Sequence, residues 1–446
     1  MTENFRILKS VRIDRKAWEL SDLRIDIPPM SFGSDASNPH TQYSNAVAQF
    51  ELKGILGVGA CFTLGEGNQY VCAATNFILG EFDGLTLGDL LKTNASIGDV
   101  FSNPRQLRWI SPNAGLPLMA AGLVLNTVID YASKRAGLPA WKFLAGLEFD
   151  EFISLISTKH IRNRRQLMSY FRETWLKFLE LTPRIEELEE FGLPTYFTTW
   201  IGADHESLVN DMKLINKSKG ITKFKIKIGS DIDSEKEKID FVINNLPDTY
   251  RFAADANQKL DFETAQLWLD YLSERNFLWL EEPFAPDNIL LFRDLKSYRS
   301  SKNLSSEIAS GENCPNIHTA QALCELGIDT FQPDPCRMMG ITDALFAGLI
   351  SRFQNVRFIP HAGGAGLDEL SPHLQFFYLA RIDREMNIED SLTESIGFAS
   401  KFYAAPSTVN NGKIGAPQKP GLLVGLSEEV TEKMRPFTEG TTWLKL

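Results

Sequence analysis

The residues best suited to chemistry in this 446-residue chain come in six short clusters, each closing an apolar run. In chain order they are Lys225 and Lys227 in "KFKIKIG" (223–229), Asp255 and Asn257 in "RFAADANQ" (251–258), and Glu281 in "NFLWLEEP" (276–283). Then come Glu312 in "SEIASGEN" (306–313), Asp334 in "DTFQPDP" (329–335) and His361 in "VRFIPHAGG" (356–364). One carboxylate at a strand end is ordinary. Three successive runs that each present one are not, because like charges gathered in one place repel unless a cation binds them. Hard carboxylate oxygens suit Mg2+. Neighbouring strand residues point to opposite faces, so only one of Glu281 and Glu282 faces what the strand lines. Lys225 and Lys227, two apart, share a face. A lysine desolvated beside another cation is expected to have a lowered pKa and to serve as a base. The plainer reading of the same run is an edge strand with solvated lysines. Asp334 can orient the His361 imidazole and raise its pKa, giving a second acid/base group. His373 falls in a helix-like segment and reads as structural. Cys314, Cys336 and Arg337 lie near these clusters without a role of their own.

The elements that must position these groups are legible around them. Helix-like segments such as "DFETAQLWLDYLSER" and "NIHTAQALCELG" separate the runs. Strands alternating with helices predict a parallel sheet. Six regular units, with a further strand expected at "EFISLIST" (151–158), predict a (β/α) barrel, in which catalytic groups sit at the C-terminal strand ends. Residues 1–145 read differently: antiparallel strands at "NAVAQFELKG" and "GVGACFTLG", then helices after residue 75. Residues 160–220 hold a long charged stretch, expected to be a surface helix. The tail after about residue 395 has loop chemistry and is expected to pack back on the first domain. The expected fold is therefore α/β, a modified TIM barrel with an α+β capping domain built from the N-terminal part and the C-terminal tail. The expected boundaries are 1–145, 146–393 and 394–446.

A net charge of -11 argues against a nucleic-acid partner, which needs a basic face. The five cysteines are scattered, and no CxxC pair suggests zinc. Reduced thiols and a charged N-terminus without an apolar signal core point to a cytoplasmic location. The apolar run "GLPLMAAGLVLNTVIDYASKRAG" (115–137) carries Asn126 and Asp130. It is expected to be a buried helix, too short and too polar to span a bilayer, so no membrane partner is expected.

The ordered set Lys225-x-Lys227, "DAN" (255–257), "LEEP" (280–283), "GEN" (311–313), Asp334 and His361 resembles the enolase superfamily, in its mandelate-racemase-like subgroup. "GSDASNP…YS" (33–44), "FTLGEGN" (62–68), "RQLRWISP" (105–112), "DPCRMMGITDAL" (334–345) and "PHAGGAGLDEL" (360–370) are similar to the branch holding L-fuconate and fungal L-galactonate dehydratases. The resemblance implies Mg2+ on Asp255, Glu281 and Glu312, with Glu282 beyond the metal. It implies Lys227 as the base at C2, Lys225 on the substrate carboxylate, and His361 held by Asp334 as the acid that assists loss of the 3-hydroxyl. Glu394 in "LTESIGF" matches a glutamate that hydrogen-bonds the enediolate, and Asn257, Asp35 and Trp109 are expected to contact substrate. The implied activity is a hydro-lyase converting L-fuconate or a related aldonate to a 2-keto-3-deoxy acid, in a homo-oligomer. A racemase or epimerase acting at C2 is the alternative, and a non-catalytic acid-sugar-binding protein a distant one. The chain departs from the branch at Glu66, at Ser157–Thr158–Lys159–His160, at "SPNAG" (111–115) and at the prolines flanking Asp334, some of them near the expected distal end of the sugar.

Overall fold

The computed structural model describes residues 1–26, 42–65, 67–92, 95–102, 104–110, 113–177, 181–199, 204–397 and 402–438. After an N-terminal helix (Glu3–Lys9), the chain forms an antiparallel meander of β1 (Trp18–Asp26), β2 (Gln42–Leu52) and β3 (Ile55–Thr63). Lys53 and Gly54, at φ 55° and 73°, make the tight turn between the last two, the backbone hand that suits a two-residue hairpin. The helix Leu116–Ala136 lies across β3. Close approach requires the two glycines of "GVGA": a Cβ on Gly57 would come within 2.7 Å of Tyr131 Cβ, and one on Gly59 within 2.2 Å of Thr127 Oγ1. The helix stops at Gly137, which takes the left-handed conformation. At 21 residues it is long and apolar enough to cross a membrane, contrary to expectation, but 89% of its apolar window is buried inside the protein. It is a core helix.

The two polar residues in that helix are structural ties. Asn126 accepts from Ile341 N (2.8 Å) and donates to the Pro335 carbonyl (3.3 Å), locking the cap to the loop that carries Asp334. Asp130 accepts from Val58 N (2.7 Å), Leu422 N (2.6 Å) and Leu423 N (2.9 Å), pinning the tail to the cap. A buried carboxylate is tolerated there because donors meet it.

Eight parallel strands follow: β4 (Leu193–Thr198), β5 (Lys223–Lys227), β6 (Arg251–Asp255), β7 (Trp279–Glu281), β8 (Glu307–Ser310), β9 (Thr330–Phe331), β10 (Arg357–Phe358) and β11 (Thr393–Ser395). They run in the order β11-β4-β5-β6-β7-β8-β9-β10, with helices between most of them. Their near-continuous apolar character fits strands covered on both faces. Tyr196, Ala253, Trp279, Ala309, Ile359 and Leu392 form a small cluster separate from the main core, filling the barrel interior. The tail adds β12 (Val409–Asn410) and β13 (Lys413–Ile414), the latter pairing with β4, and β14 (Arg435–Pro436), which pairs with β1. The tail thus joins the barrel through β13 and the cap through β14.

Three expectations need correction. Residues 151–158 form no strand: Phe149–Ile153 is helical, nucleated by a capping box between Glu148 and Glu151. The charged stretch 160–220 is not one helix. It holds Arg164–Leu176 and Thr182–Phe191, then Gly192 at φ 62° breaks the run and β4 begins. The boundary expected at 393/394 falls inside β11, the last barrel strand.

Candidate active site

The strand ends converge on one set of side chains. Register places Lys227 beside Asp255, and Asp255 beside Glu281. Two residues further up each strand from the apolar cluster, Thr198, Asp255, Glu281, His361 and Glu394 occupy the same inward face. One oxygen from each of Asp255, Glu281 and Glu312 lies within 4.8 Å of the others. Asp255 and Glu281 are fully buried, and Glu312 Oε2 is a buried atom without a hydrogen bond. Three hard oxygen donors with an orphaned lone pair among them fit a divalent cation such as Mg2+. Trp279 Nε1 (2.8 Å) and Gln332 Nε2 (2.9 Å) both donate to Glu281 Oε2, fixing that carboxylate from behind.

Lys225 and Lys227 point into the same cluster and are buried, so the solvated edge-strand reading does not hold. Lys225 Nζ lies 2.5 Å from Glu281 Oε1, 2.9 Å from Glu394 Oε1 and 3.3 Å from Asp255 Oδ2. Lys227 Nζ lies 2.5 Å from Asp255 Oδ2. Both lysines titrate above the usual range, opposite to the lowered pKa expected of a base. Burial lowers the pKa of Lys227, and the charge of Lys225 adds to that, but Asp255, Glu312 and Glu281 more than reverse it. For Glu281, burial with the charges of Asp255 and Glu394 carries the pKa up to about 7, against the pull of Lys225.

Across the cavity His361 Nδ1 sits 3.0 Å from Asp334 Oδ2, and its Nε2 3.4 Å from Glu312 Oε2. Burial opposes protonation of His361, yet Glu312, Asp334 and Glu394 carry its pKa to about 9. Asp334 Oδ1 accepts from Cys336 N (2.7 Å), so the carboxylate that orients the imidazole is itself oriented. Glu394 accepts from Ala362 N (2.8 Å) and from the Thr198 hydroxyl. Burial raises its pKa, but Lys225 and His361 bring it down to about 2.

Glu282 follows β7 at φ 40° and also lines the cavity. Its oxygens accept from Asn313 N (3.2 Å), Asn313 Nδ2 (3.0 Å) and Gln258 Nε2 (3.0 Å). Burial, then the charge of Glu312, lifts its pKa to about 8.

These groups surround a cavity of about 640 Å3 between barrel and cap. Lys225, Lys227, Asn257, Glu312, His361 and Glu394 line it from the barrel; Tyr43, Phe62 and Met119 close it from the cap. The cap is held down by reciprocal bonds, Cys61 Sγ to the Cys336 carbonyl (3.3 Å) and Cys336 Sγ to the Ala60 carbonyl (3.2 Å). His373 is buried, accepts from Trp141 N (3.2 Å) and is held neutral by burial, its pKa near 3.

Not every expected residue is here. Trp109 stands 80% exposed on the short helix Arg105–Ile110, stacked near Arg108, and does not line the cavity. Asp35 and Glu66 lie outside the described residues. Lys159 and His160, expected near the distal end of the sugar, line a different cleft together with His318. Conversely, the sequence reading missed Thr198, because it missed β4, and it gave no role to the cap residues Tyr43 and Phe62, although both stand in the motifs "GSDASNP…YS" and "FTLGEGN". Arg337 was noticed without a role; it lines the cavity as well.

Known proteins similar to this chain are of one kind. Mitochondrial enolase superfamily member 1 from Xenopus laevis is 29% identical over 440 residues, covering 96% of each chain. The crystal structure of the human protein of that name superposes with a TM-score of 0.85 at 27% identity, covering 97% of this chain and 98% of that one. L-galactonate dehydratase from Hypocrea jecorina is 27% identical over 433 residues, covering 95% of this chain and 94% of the other. The structure of L-talarate/galactarate dehydratase from Salmonella typhimurium LT2, liganded with Mg and L-lyxarohydroxamate, shares the fold at a TM-score of 0.71 and 19% identity, covering 94% of this chain and 92% of that one. The family model described as enolase C-terminal domain-like matches residues 208–430, from the helix before β5 through the tail. With that match laid over a barrel whose strand ends gather three carboxylates, two lysines and a histidine–aspartate pair, the chain belongs to the enolase superfamily.

Proposed function

We propose that this protein is a Mg2+-dependent acid-sugar dehydratase that converts an aldonate such as L-fuconate, or a stereochemical neighbour, to a 2-keto-3-deoxy acid. The observation that carries the reading is that Lys227 and His361, the latter held by Asp334, line one cavity, from strands that are not neighbours, beside the Asp255–Glu281–Glu312 cluster. Pure binding does not require acid/base groups from two directions. Two relatives support the chemistry: one named for L-galactonate dehydration, and a structural neighbour liganded with Mg.

Asp255, Glu281 and Glu312 would hold the cation. A bound Mg2+ supplies positive charge that offsets these carboxylates and steadies a substrate carboxylate as C2 turns acidic. Lys225, paired with Glu281 and Glu394, orients the substrate carboxylate. Lys227 takes the C2 proton. Among the influences on its pKa only the carboxylates raise it; burial and Lys225 both favour the neutral amine that a base must be. His361, protonated and oriented by Asp334, gives its proton to the 3-hydroxyl, which departs as water while the C2–C3 double bond forms. The resulting enol rearranges to the keto acid. The cap residues Tyr43, Phe62 and Met119 shield the site from bulk water.

The test is a screen of purified protein with Mg2+ against aldonic, aldaric and uronic acids, scoring 2-keto acid as its semicarbazone. Turnover of L-fuconate, L-galactonate or a C5 or C6 relative is the expected result. A product that is only the C2 epimer, read by deuterium incorporation at C2, moves the assignment to an epimerase, which acid/base groups on both sides of C2 also allow. Binding of acid sugars with neither outcome removes the catalytic reading.

A further inference from the structure

Arg337 is a half-buried cation of this cavity that the proposed reaction does not use; Lys259, the other unused one, is exposed. The buried cations are committed to carboxylates: Lys225 to three, Lys227 to Asp255, His361 to Asp334 and Glu312. Among the described residues Arg337 makes no ion pair. Its one side-chain hydrogen bond among them runs from Nη1 to the neutral amide oxygen of Asn313, at 2.6 Å. A guanidinium carries five N–H donors; Arg337 is half-buried, and among the described residues its Nε is the donor that is buried and unmet. Leaving such a donor unmet is costly.

The group is also held rigidly. Asn313, its acceptor, is clamped twice by Glu282. The Phe62 ring of the cap lies 5.4 Å from the guanidinium carbon. The backbone N–H of Arg337 bonds the Asp334 carbonyl at 3.1 Å, so its loop is continuous with the acid/base pair. Arg337 thus stands between the His361–Asp334 pair, where the 3-hydroxyl leaves, and the cap. A substrate whose C1 and C2 are held at Lys225 and Lys227 continues past His361 in that direction.

The charge around Arg337 decides what it meets. Asp334 and Glu312 lie close enough to act on it electrostatically. Glu282 stands behind its acceptor. With acidic neighbours already balancing it, a second substrate carboxylate gains little there, whereas a hydroxyl accepts the unmet donor without adding negative charge. We infer that Arg337 is a specificity-determining residue that donates to a hydroxyl beyond C3 of a monocarboxylic sugar acid. This inference rests on the proposed dehydratase reading.

The experiment separates the two. Binding is measured by calorimetry with Mg2+ present, on Lys227→Ala protein so that nothing turns over. The probes are L-galactonate, its 4-deoxy and 5-deoxy analogues, and galactarate. Arg337→Met should weaken L-galactonate binding about 10- to 100-fold, the range for a lost hydrogen bond to a charged group. The same substitution should cost much less with whichever deoxy analogue lacks the accepting hydroxyl. Galactarate should bind no more tightly than L-galactonate to the parent. Equal loss on every probe makes Arg337 structural and overturns the inference, as does unchanged L-galactonate affinity. Tighter binding of galactarate that disappears in Arg337→Met assigns it to a second carboxylate instead, and also overturns it. If Arg337→Met does not fold, Arg337→Lys carries the same comparison, because it keeps the charge and loses the planar fork. Binding with normal Arg337 dependence but no turnover by the parent enzyme overturns the dehydratase reading alone; no binding of any probe overturns both.

Discussion

Two layers fill the barrel interior, and on four strands they are separated by only two residues. Tyr196 lies below Thr198, Ala253 below Asp255, Trp279 below Glu281 and, just before β11, Leu392 below Glu394. After β10, Ile359 stands in the same relation to His361. Both layers are buried, so burial alone does not separate the packed floor from the working site. The lower layer is apolar and needs only close packing. The upper layer holds carboxylates that lysines, an imidazole and backbone donors meet: Asp255 and Glu394 are held below the usual carboxylate range, while burial carries Glu281 up to about 7. The floor also holds the layer above it. Trp279 packs edge-to-face on Tyr196, with centroids 5.4 Å apart, while its indole N–H donates to Glu281. The Tyr196 ring lies 6.0 Å below the Lys225 ammonium.

The sharpest way to break this comparison is to remove one charge from the upper layer and leave the floor intact. Lys227→Ala should lower kcat by about 10³-fold or more, in the upper range for loss of an acid/base group. Its melting temperature and the stabilisation it gains from Mg2+ should stay near those of the parent. Near-normal turnover would remove Lys227 from the role of base.

The complementary change takes a residue from the floor. Trp279→Ala deletes a fully buried side chain and should cost about 3–5 kcal/mol of stability. Because Glu281 loses a donor, Mg2+ should also bind about tenfold more weakly or worse, read as a smaller thermal shift on adding Mg2+. Trp279→Phe, which keeps most of the packing and loses the N–H, separates the two effects. If Trp279→Phe leaves the Mg2+ response unchanged, the floor packs without orienting the site.

The upper layer was legible in the sequence because strand geometry is regular. A polar residue closing each apolar run, at a period of two, lands on the inward face in register with its neighbours. Thr198 escaped because "LPTYFT" is a six-residue run inside a highly charged stretch, where short apolar runs are ambiguous. The same ambiguity turned "EFISLIST" into an expected strand, whereas Glu151 caps a helix there. Electrostatics was less legible than position. Two adjacent lysines suggested a lowered pKa, but the three-dimensional cluster places more negative than positive charge around them. Contacts from the cap were least legible. Phe62, Tyr43 and Trp109 all sit in matching motifs, but only the docking of one domain on another decides that the first two reach the cavity while Trp109 stands in solvent.

A smaller effect sharpens the contrast from outside the barrel. Asp343, on the helix Gly340–Phe353, is buried like the upper layer, yet among the described residues no cation meets it and its Oδ1 has no hydrogen bond. Burial, helped by the charge of Asp99, raises its pKa to about 8. The folded chain therefore keeps a proton that the unfolded chain releases near pH 4. The unfolded state binds fewer protons between about pH 4 and pH 8, so Asp343 costs the fold stability progressively as pH rises through that window, and the cost levels off above it. Asp343→Asn removes the titration and nearly preserves the shape. It should stabilise the protein by on the order of 1–3 kcal/mol at pH 8, the cost of a poorly met buried polar group, and by little at pH 4. Melting curves of both proteins at the two pH values check this. An equal gain at both would locate the effect in packing. No gain at pH 8 would mean that Asp343 is already met as a charge, as the carboxylates at the strand ends are.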